Sequence, residues 1–212
     1  YYNSNLVIPV SEELVSDLKP FFGDSYKYHV ISNTIDTGLF SYKKRDPIIN
    51  QASQFCCFAN FEYRKGYDIL LPAFDKLCNI YPNCKLHIAG RDTDSTKFKA
   101  LLSNIKHFNN IIIHGLIDKY QVRDILYKSH ALILASRSES QGLVIMEAYS
   151  SGIPVITTPF IPKSLQHSNS FSIVPFDDID ALFNAMKLLV ESPKDCYDAS
   201  LFIEQNYSNR QL

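Results

Sequence analysis

From residue 54 onward, short hydrophobic runs alternate with longer stretches in which hydrophobic residues recur every three or four positions. The short runs are continuous, which is typical of strands buried on both faces, and the longer stretches are typical of amphipathic helices. The predicted strands cover residues 55–59, 85–89, 110–114, 131–135, 153–156 and 171–174. The predicted helices cover residues 70–78, 96–106 and 118–126, a segment beginning at 143, and residues 178–191.

Regular alternation of strands and helices predicts an α/β fold, because parallel strands need a crossover connection that usually contains a helix. We therefore expect a Rossmann-like parallel sheet with helices on both faces over residues 45–212. Residues 1–44 have a different pattern. A hydrophobic run at 5–11 leads into a helix that Ser11 could cap, and a second run lies at 28–40.

Composition and charge exclude several classes of partner. The 212 residues carry a net charge of −1, so the chain lacks the excess positive charge that nucleic-acid binding requires. No hydrophobic run approaches the ~20 residues of a membrane span, and we expect at most peripheral contact with a membrane. Five cysteines without a C-x-x-C pair predict reduced thiols in the core of a cytoplasmic protein.

Candidate chemistry is concentrated between the strands at 131–135 and 153–156. Glu139 and Glu147 bracket a glycine, Gly142, and the hydrophobic run that follows it. Ligands usually bind in the loop beyond a strand's carboxyl end, and the first amides of a helix attract anions. A carboxylate accepts two hydrogen bonds, which suits neighbouring sugar hydroxyls. A phosphate at the helix start, with a carboxylate on each side, predicts a nucleotide-sugar site.

Glu139 also fits a capping box that begins at Ser136, which would make it an ordinary residue of the first helical turn. That interpretation places Gly142 inside the helix, at a cost of about 1 kcal/mol relative to alanine. Starting the helix after Gly142 avoids the cost and leaves Glu139 available to a ligand. We predict the later start.

This segment resembles the glutamate-x7-glutamate segment of glycosyltransferase family 4, the group 1 glycosyl transferases of GT-B architecture. The resemblance includes the glutamate spacing, residues 142–144 and the run from Gly152 to Ile156. Residues 28–40 resemble the family's interdomain crossover. The resemblance implies that residues 1–44 are the end of an amino-terminal domain with the crossover, and that residues 45–212 form the donor-binding, carboxy-terminal half.

Residues 59–66 are similar to the family's phosphate-binding loop, which carries an arginine and a lysine. Lys65 matches the lysine, whereas Asn60 stands at the arginine position and carries no charge. Arg64 is a possible substitute for the missing arginine. The departure puts donor binding or leaving-group stabilisation in doubt, since a cation there stabilises the charge that builds on the diphosphate.

The resemblance also implies a role for each matching residue. Lys65 and Glu139 would be catalytic, and Glu147 would bind the ribose diol. Gly142, Leu143 and Val144 would offer backbone amides to the phosphates, and Asn60 would contact the diphosphate as well.

We expect a retaining glycosyltransferase that transfers a sugar from a nucleotide-diphosphate-sugar to an acceptor hydroxyl, in polysaccharide or glycoconjugate synthesis. No cofactor and no metal are expected. A glycan or lipid-linked acceptor would bind through the absent amino-terminal domain, so this fragment alone should be inactive. The cytoplasm or the inner face of the membrane is the expected location. The alternatives are a non-catalytic nucleotide-sugar-binding module and a GT-B-like nucleotide-sugar 2-epimerase.

Overall fold

A computed structural model describes residues 6–23, 27–44, 52–139, 142–166 and 170–209. Within these ranges, six strands form one parallel sheet, as the sequence pattern predicted. The strands that build it are β3 (Gln54–Phe58), β4 (Lys85–Ala89), β5 (Ile111–Gly115), β6 (Ala131–Leu134), β7 (Val155–Thr157) and β8 (Phe171–Ile173).

The strand order places two predicted site loops beside each other. The order is β5-β4-β3-β6-β7-β8, so β3 pairs with β4 on one side and with β6 on the other. The chain reverses its direction of winding between β3 and β6, which makes this position a topological switch point. Ligand crevices in open α/β sheets open at such a point, at the carboxyl ends of the strands.

Helices cover the sheet and begin where the sequence supplies capping residues. Asp118 accepts hydrogen bonds from the amides of Tyr120 and Gln121 in a capping box, and Asp178 accepts one from Ala181. Both caps satisfy amides that have no partner inside the helix. The helices over the sheet are α2 (Tyr67–Ile80), α3 (Thr96–Leu102), α4 (Lys119–Lys128), α5 (Leu143–Ser150), α6 (Ile179–Glu191) and α7 (Tyr197–Tyr207).

Two helical predictions need correction. Helix α3 ends at Leu102 rather than near residue 106, because the amides of Asn104 and Ile105 donate to carbonyls three residues back instead of four. Helix α7 was not predicted. Its hydrophobic stripe is interrupted by serine, yet it packs on α5, where the buried Ser200 hydroxyl donates to the carbonyl of Ser150 at 2.8 Å.

The amino-terminal residues form a small unit of their own. Strands β1 (Leu6–Val7) and β2 (Lys27–Tyr28) pair in parallel, and α1 (Glu12–Phe22), capped by Ser11, connects them. Further on, the chain joins the main core: Ile35 and Phe40 are buried in it. The predicted boundary at residues 44 and 45 adjoins residues 45–51, which lie outside the described ranges, so this division stays a prediction.

The cysteines are residues of the protein core. All five cysteines are buried and none is part of a disulfide, as expected of reduced core thiols. Burial raises the pKa of the Cys57 thiol to about 12, which makes it a poor nucleophile. Among the helices that the structure describes, none is long and hydrophobic enough to cross a membrane.

Candidate nucleotide-sugar site

The loops that follow β3 and β6 touch at the carboxyl edge of the sheet. Gly66 has a positive φ of 66°, and a Cβ atom there would lie 2.0 Å from the carbonyl oxygen of Ala135. Only glycine allows this approach. The amide of Arg137 also donates to the carbonyl of Arg64 at 2.7 Å. The two loops therefore form one continuous backbone surface.

Lys65 and Glu139, the two predicted catalytic residues, form an ion pair across this junction. Lys65 Nζ lies 2.6 Å from Glu139 Oε1, and the side chains are only 11% and 9% exposed. The buried Ser136 donates its hydroxyl to the same carboxylate oxygen at 2.7 Å. Thr158, at the end of β7, donates in turn to the carbonyl of Ser136. Glu139 is therefore held by two side-chain donors.

Gly142 decides where the next helix begins. Its φ of 69° and ψ of 51° lie in the left-handed region, and α5 starts at Leu143. The predicted start after Gly142 is confirmed, and the capping-box alternative for Glu139 is wrong. Leu143 and Val144 form the first turn, and among the described residues no side chain caps their amides. Unpaired amides at this position attract an anion.

Glu147 lies one turn further along α5 and has a different environment. Its side chain is partly buried and makes no hydrogen bond or ion pair with any residue that the structure describes. Burial raises the pKa of this carboxyl to about 7. A buried acid without a partner is costly for the free protein, and such groups are concentrated at functional sites.

Asn60 is engaged by its own loop. Its Oδ1 accepts a hydrogen bond of 3.0 Å from the amide of Arg91, and its Nδ2 lies 3.4 Å from Glu62 Oε1. Arg64, the possible substitute for the missing arginine, pairs with Glu62 at 2.6 Å and is 48% exposed. In this structure Lys65 is therefore the residue of this loop that pairs with Glu139, whereas Arg64 pairs with Glu62.

Two clefts border the Lys65–Glu139 pair, and Arg64 lines both. The first has a volume of about 320 Å³, and Asn60, Lys65, Gly90 and Leu116 are among its lining residues. The second has a volume of about 450 Å³ and is lined by Glu139, Phe160 and Lys163, among others, with Glu13 from α1. Lys65 borders the first cleft and Glu139 borders the second.

Arg137 was not predicted, although it stands two positions before Glu139. Its guanidinium binds Asp68 in a bidentate pair at 3.0 and 2.8 Å, and it also contacts Asp177 at 2.6 Å. The same group donates to the carbonyl of Tyr63 and lies 4.0 Å from the centre of the Tyr63 ring. Arg137 thus ties three loops together and fixes the loop that carries Glu139. An arginine inside a predicted ligand loop is the signal that would have drawn attention to it.

His87 and His114 line neither of the two clefts. His87 and His114 stack with Nδ1 and Nε2 at 3.0 Å on neighbouring strands β4 and β5. Burial lowers the pKa of His87 to about 4. Within the described ranges, no cluster of three or more His, Cys, Asp or Glu side chains is placed to hold a metal ion. The expectation that no metal is needed stays a prediction.

Curated relatives were found by sequence comparison. The chain is 28% identical over 120 residues to the phosphatidylinositol N-acetylglucosaminyltransferase gpi3 subunit of Schizosaccharomyces pombe, covering 55% of this chain and 26% of that protein. It is 29% identical over 160 residues to poly(glycerol-phosphate) alpha-glucosyltransferase of Bacillus subtilis, covering 74% of this chain and 23% of that protein. The chain therefore spans less than a third of the length of these two relatives.

Solved structures share the fold, and one sequence family covers most of the chain. Anabaena HepE in complex with UDP-glucose superimposes with a TM-score of 0.81 at 16% identity, covering 98% of this chain and 62% of HepE. This likeness shows the same α/β fold as in GT-B glycosyltransferases. The sequence family described as glycosyl transferases group 1 matches residues 41–203. This chain belongs to the glycosyl transferases group 1 family.

Proposed function

We propose that this chain is the donor-binding half of a retaining glycosyltransferase, which transfers a sugar from a nucleotide-diphosphate-sugar to an acceptor hydroxyl. The observation that carries the proposal is the grouping of Lys65, Glu139 and the start of α5, whose amides no described side chain caps, at one loop junction. A cation and free amides suit a diphosphate, and the carboxylate suits the hydroxyls of the attached sugar. These three features are the parts that such a donor requires.

The diphosphate would be held by Lys65 and by the amides of Leu143 and Val144. Transfer leaves additional negative charge on the diphosphate as its bond to the sugar breaks. Donors already aimed at that position stabilise the charge without first rearranging, which is how such sites accelerate reactions. Gly142 would let the phosphate approach the backbone, and Asn60 would contribute hydrogen bonds without charge.

The two acids would divide the hydroxyl groups of the donor between them. Glu139 stands in the loop and would bind the transferred sugar, and Glu147 stands one turn inside α5 and would bind the ribose. The lack of a partner for Glu147 among the described residues supports this assignment, because ligand hydroxyls would satisfy its oxygens. Retention of configuration is the stereochemistry that the family resemblance implies.

The acceptor and the location belong to the same proposal. A glycan or lipid-linked acceptor would bind through an amino-terminal domain outside this chain, near the cleft that Glu139 and Phe160 line. We propose a cytoplasmic enzyme in polysaccharide or glycoconjugate synthesis, at most peripherally attached to the inner face of a membrane. Neither a metal nor another cofactor is part of the proposed mechanism. The UDP-glucose bound by HepE makes uridine diphosphate sugars the first donors to test.

A binding module without turnover is the second candidate, and Asn60 is the observation that favours it. Asn60 stands at the usual arginine position and carries no charge, and its Oδ1 already accepts a hydrogen bond from the backbone amide of Arg91. Such a module would bind nucleotide diphosphates but would not transfer sugar. Sugar transfer by the full-length protein distinguishes the two candidates.

The experiment that tests donor binding is a thermal-shift panel on this chain with UDP, GDP, ADP and the corresponding nucleotide sugars. A ligand at 100 times its Kd stabilises the folded state by about 2.7 kcal/mol, which raises the Tm by roughly 5–10 °C for a domain of this size. Nucleosides without phosphate serve as the control and should give no shift. A flat panel at millimolar ligand would contradict the proposal.

A further inference from the structure

Lys65 and Glu139 neutralise each other's charge in the structure, so a donor must compete for both. The proposed function, on which this inference rests, puts the Lys65 ammonium on the diphosphate and the Glu139 carboxylate on sugar hydroxyls. In the structure the two groups pair with each other instead, and Lys65 Nζ lies 2.6 Å from Glu139 Oε1. We propose that Glu139 is the counter-ion that the donor diphosphate replaces, so that binding of the intact donor exchanges one ion pair for two new contacts.

The surroundings of Glu139 are suited to this exchange. Its Oε1 accepts from Ser136 as well as from Lys65, so the carboxylate keeps one donor at 2.7 Å after the lysine leaves. Its Oε2 has no hydrogen-bond partner among the described residues. The free oxygen is an acceptor site for a hydroxyl group. Glu139 can therefore stay in place while its partner changes.

Lys65 has the longer and more flexible side chain of the pair. Its ammonium has three donors on a flexible four-carbon side chain, whereas Glu139 is fixed by Ser136. Lys65 already lines the 320 Å³ cleft beside Asn60, and Glu139 already lines the 450 Å³ cleft beside Phe160. Each residue thus borders the space into which its new partner would come.

The exchange distinguishes the intact donor from the nucleotide that is left after transfer. A nucleoside diphosphate must displace Glu139 from Lys65 and then lies beside an uncompensated carboxylate, which repels it. The intact donor meets the same cost but offers sugar hydroxyls to the released carboxylate. Glu139 therefore favours the sugar-bearing donor and promotes release of the nucleotide product.

Glu139→Gln tests the inference because it keeps the side-chain shape and removes the charge. The affinity of this chain for UDP should rise about tenfold, since Lys65 no longer has a competing anion. The advantage of UDP-glucose over UDP should fall by about the same factor. Isothermal titration calorimetry measures both, with the guanosine or adenosine pair used instead if the thermal-shift panel selects that base.

Glu191→Gln is the matched control. It removes the same charge from α6, which lines neither cleft, and leaves the Lys65–Glu139 pair intact, and the Glu191 side chain is 46% exposed. Exposed charges are screened, so UDP affinity should change by much less than in Glu139→Gln. A general change in surface charge would instead raise the affinity equally in both variants, and this result would overturn the inference.

The remaining outcomes separate the inference from the proposed function. If the parent chain binds UDP and Glu139→Gln binds it no more tightly, the counter-ion role is wrong and donor binding stands. If the parent binds no nucleoside diphosphate, the proposed function fails and the inference fails with it. Should Glu139→Gln not fold, Glu139→Ala also removes the charge and should raise UDP affinity in the same direction.

Discussion

Two acids of one motif lie in contrasting environments on either side of Gly142. Glu139, in the loop, accepts hydrogen bonds from Lys65 and Ser136 and is 9% exposed. Glu147, inside α5, is partly buried and has no partner among the described residues, and burial raises its pKa to about 7. The first acid is stabilised by protein groups before any ligand arrives, and the second is not.

The contrast shows how similar residues can prepare a site in different ways. Glu139 has its partners supplied by neighbouring loops, so a ligand must compete for it. Glu147 is held by a helix against buried neighbours, so a ligand that donates to it relieves an existing cost. Breaking the ion pair of Glu139 and removing the charge of Glu147 should therefore change the free energy of unfolding in opposite directions.

The largest effect is expected from breaking the pair at Glu139. Lys65→Met leaves a buried carboxylate without its cation, which should lower the free energy of unfolding by about 3 kcal/mol. The variant should also lose the thermal shift with nucleoside diphosphates. Urea denaturation of this chain, with and without the ligand, measures both.

Arg64→Met is the control for Lys65→Met. It breaks the neighbouring Arg64–Glu62 pair, in which both side chains are at least 40% exposed. Exposed pairs contribute little, so its stability should remain close to that of the parent. Equal losses of unfolding free energy in the two variants would show that the Lys65–Glu139 pair contributes no more stability than an exposed pair. This result would remove the contrast with Glu147.

A smaller effect, of opposite sign, is expected at Glu147. The folded-state pKa of about 7 lies above the ordinary value of 4.5, so the folded state binds more protons between these two values. Stability should therefore fall as the pH rises from about 4.5 to 7, and the full penalty should be present above pH 7. Glu147→Gln removes this penalty and should stabilise the chain by about 2 kcal/mol at pH 8.

Thermal unfolding at pH 5 and pH 8 measures the effect of Glu147→Gln. The variant should gain more at pH 8 than at pH 5, and it should bind nucleotide diphosphates more weakly than the parent. Glu191→Gln removes a charge from a side chain that is 46% exposed and controls for net charge. An unchanged pH dependence in Glu147→Gln would contradict a raised pKa for Glu147 and remove the contrast with Glu139.

Sequence periodicity was sufficient for the sheet and for most of its helices. Continuous hydrophobic runs marked β3 to β8, and local signals such as Asp118 and Gly142 placed helix starts correctly. These features depend on residues close together in the chain. Helix α7 was missed because its burial against α5 depends on tertiary contact, which a weak local pattern does not reveal.

The arrangement inside the site was harder to predict. The motif identified Lys65 and Glu139 separately, although they stand 74 residues apart in the chain. Their 2.6 Å contact depends on the pairing of β3 with β6. The contacts of Arg137 with Asp68 and Asp177 depend on the same packing. Local patterns predict which residues have suitable chemistry, whereas strand order decides which of them meet.

The smallest effect is expected from loosening Glu139 without changing its charge. Ser136→Ala removes one donor to the carboxylate and should cost about 1 kcal/mol of stability, or roughly 2–4 °C in Tm. Ser200→Ala is matched, since Ser200 is also buried and donates to a carbonyl far from the clefts. Calorimetry should show that UDP-glucose loses part of its advantage over UDP only in Ser136→Ala, because a carboxylate held by Lys65 alone would follow the lysine. If both serine variants lose the same stability and keep the same donor preference, Ser136 does not position Glu139. The ion pair with Lys65 would then account for the contrast between Glu139 and Glu147.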